Sequence, residues 1–301
     1  RAGGKHNDLD EVGYDGRHHT FFEMLGNWSF GDYFKEEAIT MSWELLTRVF
    51  GLDPNRIIVT THISDDEATA IWKKVTGKDA IRLDKDNWWS AGDTGPCGPC
   101  TEMHYDFGPD LPGGLPGSAD EDGGRYVEIW NDVFMQYEKK KDGSLVPLSQ
   151  KNVDTGMGLE RVLSFMNGTN DVFTTELFQG MRTKLEEISG KKYADNLVPF
   201  RKVLDHVRTS VFIMGDDKHL VPSNTDQGYV LRRLIRVAIR NLKKIGITDF
   251  VLPKLAECVL NQYQEYYPEL VRNRDFIMTE LDKEEQLFNR TITAGLKEMD
   301  K

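Results

Sequence analysis

RYVEIWNDVFMQYEKKKDGSLVPL, residues 125–148, is the stretch that decides the fold. Its first half is dense in aromatic and β-branched residues, from Tyr126 to Tyr137, as a long strand requires. Lys139 to Gly143 then supplies a charged turn that closes on Asp-Gly, and Leu145 to Leu148 returns. Two strands joined by so short a turn run antiparallel, because a parallel pair needs a crossover of a dozen residues or more. An antiparallel hairpin is therefore expected at the centre of the first half of the chain.

The flanking segments fill in around it. Residues 36–52 place Ile39, Trp43, Leu46 and Val49–Phe50 near helical spacing, with Gly51 as a stop. Residues 55–63 are short and β-branched, which predicts a strand. Residues 64–77 predict a helix, with Ser64 as N-cap, acids in the first turn and Gly77 at the end. Residues 108–124, rich in Gly, Pro and acid, form an exposed loop. Residues 153–168 read as a strand end, a glycine turn and a helix with Leu159, Val162, Leu163 and Met166 on one face. Beyond about residue 171 the strand signals mostly stop and helical spacing takes over. The expected fold class is α+β: an antiparallel-sheet domain over residues 1–170, followed by an all-helical domain over 171–301.

The chain has 301 residues, a net charge of −11, and 39% hydrophobic against 29% charged residues. No apolar run approaches the roughly 20 residues that span a bilayer, so no membrane partner is expected. A strongly acidic chain can meet a polyanion only through a local basic patch. Three cysteines make no disulfide framework and point to a reducing compartment.

Four constellations carry possible chemistry. The opening 30 residues hold Arg1, Lys5 and Arg17 ahead of Phe21 and Phe22. Read as strand–loop–strand, they place Arg1 on one arm and the phenylalanines on the other. Phosphate binding with base stacking fits this pattern, and so do salt bridges around a hairpin. Cys97-Gly-Pro-Cys100 has metal spacing but no second ligand pair, and its two prolines predict a rigid irregular turn. No metal is therefore expected on Cys or His. In residues 152–161, Asp154 ends a strand, two glycines allow close approach, and Arg161 opens a helix. An ammonium group on the carboxylate and a phosphate on the arginine fit, as does a capped helix with a surface arginine. Residues 229–244 carry Arg232, Arg233, Arg236, Arg240, Lys243 and Lys244 with no acid, a local charge of +6. A solvated helix face and a nucleic-acid backbone contact both suit that run.

Taken together, six strings resemble the alanyl-tRNA synthetase family of class II aminoacyl-tRNA synthetases, in that family's order. They are RAGGKHNDL (1–9), RHHTFFEMLGN with SFGDYFK (17–35), GDTGPCGPCTE (92–102), EIWN with VFMQ (128–136), VDTGMGLER (153–161) and GYVLRR (228–233). The resemblance runs from Arg1 to at least Lys244. Trp28 and Trp88 stand where it leads one to expect other apolar residues.

The resemblance implies a class II adenylation domain followed by a helical tRNA-recognition domain. It assigns Arg1 to the α-phosphate of ATP and the alanine carboxylate, and Lys5 and Arg17 to the phosphates. Phe22 stacks on adenine, Arg161 holds the γ-phosphate end, and Asp154 binds the alanine ammonium. Trp89, Asn131 and Gly156 shape the alanine pocket, while Asn224 meets the tRNA(Ala) acceptor stem; beside it, the charge run offers Arg232, Arg233, Arg236 and Arg240 as contacts to the tRNA backbone. Arg1, Asp154 and Arg161 form the catalytic set. ATP and Mg2+ are the implied cofactors, L-alanine and tRNA(Ala) the partners, and the cytoplasm the location. Motif 1, the zinc-binding editing domain and the C-terminal domain would lie outside the chain, so weak or absent activity is expected of it alone. The competing readings are a paralogue that activates alanine for a carrier other than tRNA, and a catalytically silent tRNA-binding module.

Overall fold

The computed structural model describes residues 1–4 and 7–299, with side chains to residue 294. By contacts the chain divides into two units, one of residues 23–170 and one of residues 1–22 with 171–301.

The first unit is a sheet with helices. Its strands are β1 (Met24–Leu25), β2 (Trp28–Phe30), β3 (Ile57–His62), β4 (Ile81–Leu83), β5 (Trp88–Ser90), β6 (Gly95–Asp106), β7 (Tyr126–Lys139) and β8 (Leu145–Gly158). The main path runs β1-β8-β7-β6-β3-β4, with β2 also on β8 and β5 also on β6. All pairs are antiparallel except β3 with β4. The β7–β8 hairpin is the one expected, with Gly143 at a positive φ of 83° in its turn.

Helices α1 (Lys35–Glu44), α2 (Asp66–Thr76) and α3 (Leu159–Met166) accompany the sheet. Ile39, Leu46, Trp72, Met103, Trp130 and Phe134 are fully or almost fully buried in this unit's core. Along β8, Val153, Thr155 and Met157 are buried while Asn152, Asp154 and Gly156 on the other face are partly open. That period of two gives the sheet one packed face and one face that can meet a ligand.

The second unit holds α4 (Glu176–Ser189), α5 (Leu197–Gly215), α6 (Asp226–Lys244), α7 (Leu252–Tyr263), α8 (Pro268–Arg272) and α9 (Arg274–Met299). Its core gathers Phe178, Phe200, Leu204, Val211, Leu231, Leu255 and Ile277, each fully buried.

Several local expectations are corrected. Among the described residues, 1–22 contain no strand, so the opening hairpin is absent. Thr20 instead gives its backbone N–H to the carboxylate of Asp205 on α5 at 2.8 Å. That bond removes a donor a β ladder would use, and by contacts residues 1–22 group with the helical unit. Asp65, not Ser64, caps α2 by accepting from the Ala68 N–H at 3.0 Å. The Cys97–Cys100 turn is instead part of β6, with a register shift between the two cysteines. A Cβ on Gly98 would lie 2.0 Å from the Phe134 carbonyl oxygen, so a bulge at glycine admits the neighbouring strand. No glycine turn precedes α3 either, since β8 runs to Gly158 and the helix begins at Leu159. On α3 it is Phe165, packed against Tyr105 and Phe107, that is buried and Met166 that is exposed.

Candidate active site

Register builds the open face of the sheet. Gly156 on β8 lies opposite Asn131 on β7, and Asn131 lies opposite Glu102 on β6. Between Met103 and His104 the register of β6 on β7 shifts, so that His104 pairs with Glu128. The shift lets Ile129 and Trp130 both stay buried, at 2% exposure each, while Glu128 and Asn131 keep partly open positions. Trp89 enters from β5, paired with Gly98. Of the expected alanine-pocket residues, Asn131 and Gly156 thus lie opposite one another on β7 and β8, while Trp89 is on β5, separated from β7 by β6.

Asp154 lies on β8 two residues before Gly156, cross-strand from Trp28 on β2. The Trp28 indole Nε1 donates to Asp154 Oδ1 at 2.7 Å. Arg161, in the first turn of α3, donates from Nη1 to the Glu128 carbonyl at 3.0 Å and lies 3.6 Å from Glu128 Oε2. The arginine is therefore anchored beside the carboxylates of the open face.

Glu102 and Glu128 were not singled out by the sequence reading. The nitrogen Nε2 of His104 lies 3.1 Å from Glu102 Oε2. Burial, and then the negative charge of Glu128, push the Glu102 carboxyl up to about 7 against the pull of His104. Two crowded carboxylates of this kind suit a hard divalent cation, which relieves their repulsion. Mg2+ favours one or two carboxylates completed by substrate phosphates, so these residues fit it. Among the described residues no group of three or more His, Cys, Asp or Glu gathers for a metal. The spacing of Glu102 and His104, two apart on one strand, was the signal available in the sequence.

Cys97 and Cys100 are both buried and free. Burial pushes the Cys100 thiol well up, with Glu102 and Glu128 adding to it, while hydrogen bonds to Asn87 and Asn131 act the other way. Cys100 so becomes a packing partner of Asn131 rather than a nucleophile.

The other expected site residues belong to the helical unit. Arg1 stands with its guanidinium 5.4 Å from the centroid of Phe22 and 3.9 Å from Asp8 Oδ2. Phe21 stacks on Phe212 at 4.1 Å, which leaves Phe22 as the ring beside the arginine. Arg17 lies 3.7 Å from Asp15 Oδ2 with its side chain mostly buried. Lys5 lies outside the described residues. Asp205 organises this segment. Burial alone pushes its carboxyl up, but His206, whose Nδ1 lies 2.8 Å from Oδ2, and the nearby His19, at 3.7 Å from Oδ1, outweigh that and hold it below the ordinary range.

On α6 the basic run has the acid that the local sequence lacks. Arg232 and Arg236 both reach Glu284 of α9, at 3.2 Å and 2.7 Å. Arg232 also donates to Asn224 Oδ1 at 2.6 Å. Arg233 lies 3.4 Å from Asp10, and Arg240 is exposed.

The family model of the tRNA synthetases class II (A) matches residues 1–301. The chain belongs to that family. As a class II synthetase, it is 48% identical over its whole length to the alanine–tRNA ligase of Hyphomonas neptunium, covering 34% of that protein. The alanine–tRNA ligase of Francisella philomiragia is 49% identical over all of this chain and 35% of its own length. That of Nitrosococcus oceani is 49% identical over 99% of this chain and 34% of its own. This class II chain therefore spans about a third of the curated relatives it matches. Among its described residues no helix is long and apolar enough to cross a membrane.

Proposed function

We propose that the chain carries the adenylation site of an alanine–tRNA ligase. In this reading L-alanine is activated with ATP and passed to the 3′ end of tRNA(Ala). The observation that carries the reading is Asp154, whose carboxylate is fixed by Trp28 on the sheet face that also presents Gly156 and Asn131. A single fixed carboxylate over a glycine suits the ammonium group of a small amino acid. A Cβ at Gly156 would come within 3.0 Å of Met24 Sδ, so the glycine lets the Met24 side chain lie close against β8.

The first step joins an alanine carboxylate oxygen to the α-phosphorus of ATP and breaks the bond to the β-phosphate bridging oxygen. Pyrophosphate leaves. The alanine carboxylate is already ionised at neutral pH, so no protein base has to take a proton. The protein's work is to position two anions and to offset their charge. Arg1 takes the α-phosphate and the alanine carboxylate, and Phe22 the adenine ring. Lys5 and Arg17 serve the phosphates, Arg17 through a guanidinium it shares with Asp15. Arg161 takes the γ-phosphate end, held by its bond to Glu128. Glu102 and Glu128 would hold Mg2+, which supplies neutralisation of the polyphosphate.

The helical unit is the proposed tRNA-binding part. Arg233, beside Asp10, and Arg240 are exposed cations of α6, while Arg232, Arg236 and Asn224 act through the cluster around Glu284. A cytoplasmic location accompanies this reading, in keeping with three free thiols. Alanine-dependent ATP–pyrophosphate exchange by the enzyme is the deciding assay. Exchange that needs alanine supports the reading, and its absence with intact ATP binding refutes it.

A further inference from the structure

The segment that carries Trp28 is fastened to β8 and to the first turn of α3. Glu23 gives its N–H to Glu160 at 3.1 Å, and Asn27 gives its N–H to Thr155 Oγ1 at 2.9 Å. Tyr33 then donates to Asn27 Oδ1 at 2.7 Å. At Gly26 the approach is so close that a Cβ would lie 2.5 Å from the Thr155 carbonyl oxygen. Trp28, although 51% exposed, therefore stands on a backbone with little freedom to move.

An indole N–H can donate and cannot accept. Its bond to Asp154 Oδ1 is therefore one-directional, and it selects one rotamer of the carboxylate. Among the described residues no donor reaches Asp154 Oδ2. One oxygen is used to hold the group, and the other remains for a ligand.

The geometry points to Trp28 as the residue that positions Asp154 for the amine of the amino-acid substrate. This inference rests on the alanine-activating reading given above. It adds that the indole N–H, rather than the bulk of the ring, is what the site uses. Phenylalanine at this position would fill similar space without the donor.

The donor-only character of indole has a consequence that packing alone cannot produce. In Asp154→Asn, Trp28 selects the amide orientation that gives it the oxygen, so the NH2 faces the incoming ammonium. Donor then meets donor. Removal of the indole N–H in that background frees the amide to turn its oxygen toward the ligand. Trp28→Phe should therefore harm the site when residue 154 is Asp and help it when residue 154 is Asn.

The test measures affinity by calorimetry for a non-hydrolysable alanyl-adenylate analogue and for the same analogue without its amine. Trp28→Phe should weaken the amine-bearing analogue about tenfold, the scale of a hydrogen bond to a charged group. It should leave the amine-free analogue within about twofold, a change smaller than a typical single hydrogen bond. The double variant should bind the amine-bearing analogue several-fold more tightly than Asp154→Asn alone. Equal loss for both analogues, or a double variant weaker than Asp154→Asn, overturns the positioning role. Failure of the unaltered enzyme to bind the amine-bearing analogue would sink the alanine-activating reading itself, which separates the two outcomes.

Discussion

Arg236 donates its Nε to Glu284 Oε1 at 2.7 Å, and that carboxylate is 4% exposed. Arg232 shares it at 3.2 Å. The pairing changes what a basic helix means. A cation already held by a buried acid contributes little to a long-range field, and a phosphate must compete with that acid for it. Truncation of both partners would strand a buried charge, which costs about 3–5 kcal/mol.

The arginines should therefore separate into two groups. Arg240→Ala is expected to weaken tRNA binding and flatten its salt dependence by about 0.7–0.9 in log–log slope, the value for one lost phosphate contact. Its unfolding midpoint should not move. Arg232→Ala with Arg236→Ala is expected to lower the urea midpoint instead. Fluorescence anisotropy over a salt series and urea melts on the same samples distinguish the two. A salt slope that falls only in the double variant would reverse the assignment.

Much of the sheet was legible because its information is local. Alternation along β7 and β8 and the Asp142-Gly143 turn sit within one short window, so the hairpin could be read directly. Asp154 and Arg161 were legible through the glycines between them. The opening segment was not, because its organising partner, Asp205, is 185 residues from Thr20. Glu284 likewise answers Arg232 from 52 residues away, so the basic run looked uncompensated. Trp28 stands in the sequence only as a replacement for another expected apolar residue, and no rule of spacing ties its N–H to a carboxylate 126 residues further on. Glu102 stood inside a motif whose cysteines drew the chemical interpretation, although those thiols prove to be buried.

Glu102 offers a pH test for the cation site. With its carboxyl pushed up to about 7, it is increasingly protonated below that pH. A proton then competes with Mg2+ for the same oxygens. Apparent Mg2+ affinity should fall as pH drops from 8 to 6, by up to about tenfold per unit below 7. Glu102→Gln should weaken Mg2+ dependence at every pH and abolish that trend. Mg2+ titrations of pyrophosphate exchange at several pH values measure both effects. A pH-independent Mg2+ requirement in the unaltered enzyme would remove Glu102 from the site.

Selectivity among small amino acids should be limited. Alanine differs from glycine by one methyl group, and such a group discriminates by about 1–3 kcal/mol. Serine adds a hydroxyl that an apolar pocket rejects equally poorly. The adenylation site should consequently form glycyl- and seryl-adenylate at saturating amino acid. Exchange that responds to alanine alone, with glycine and serine present at saturation, contradicts this.

Asp132 links the packed face of the sheet to pH. It is fully buried beneath the site strand, and Ser42 donates to its Oδ2 at 2.8 Å while Oδ1 has no partner. Burial pushes its carboxyl up to about 7, outweighing the bond from Ser42. The folded state thus binds a proton that the unfolded state, with an ordinary Asp, releases near 4. The stability this group contributes is complete below about pH 4 and is lost as pH rises toward 7, by up to about 1.4 kcal/mol per unit. Asp132→Asn mimics the neutral form and should be more stable than the unaltered protein at pH 8. The two should converge near pH 4. Urea unfolding at pH 4, 6 and 8 gives the comparison, and an Asn variant that is less stable at pH 8 would show that Asp132 is held as a charge.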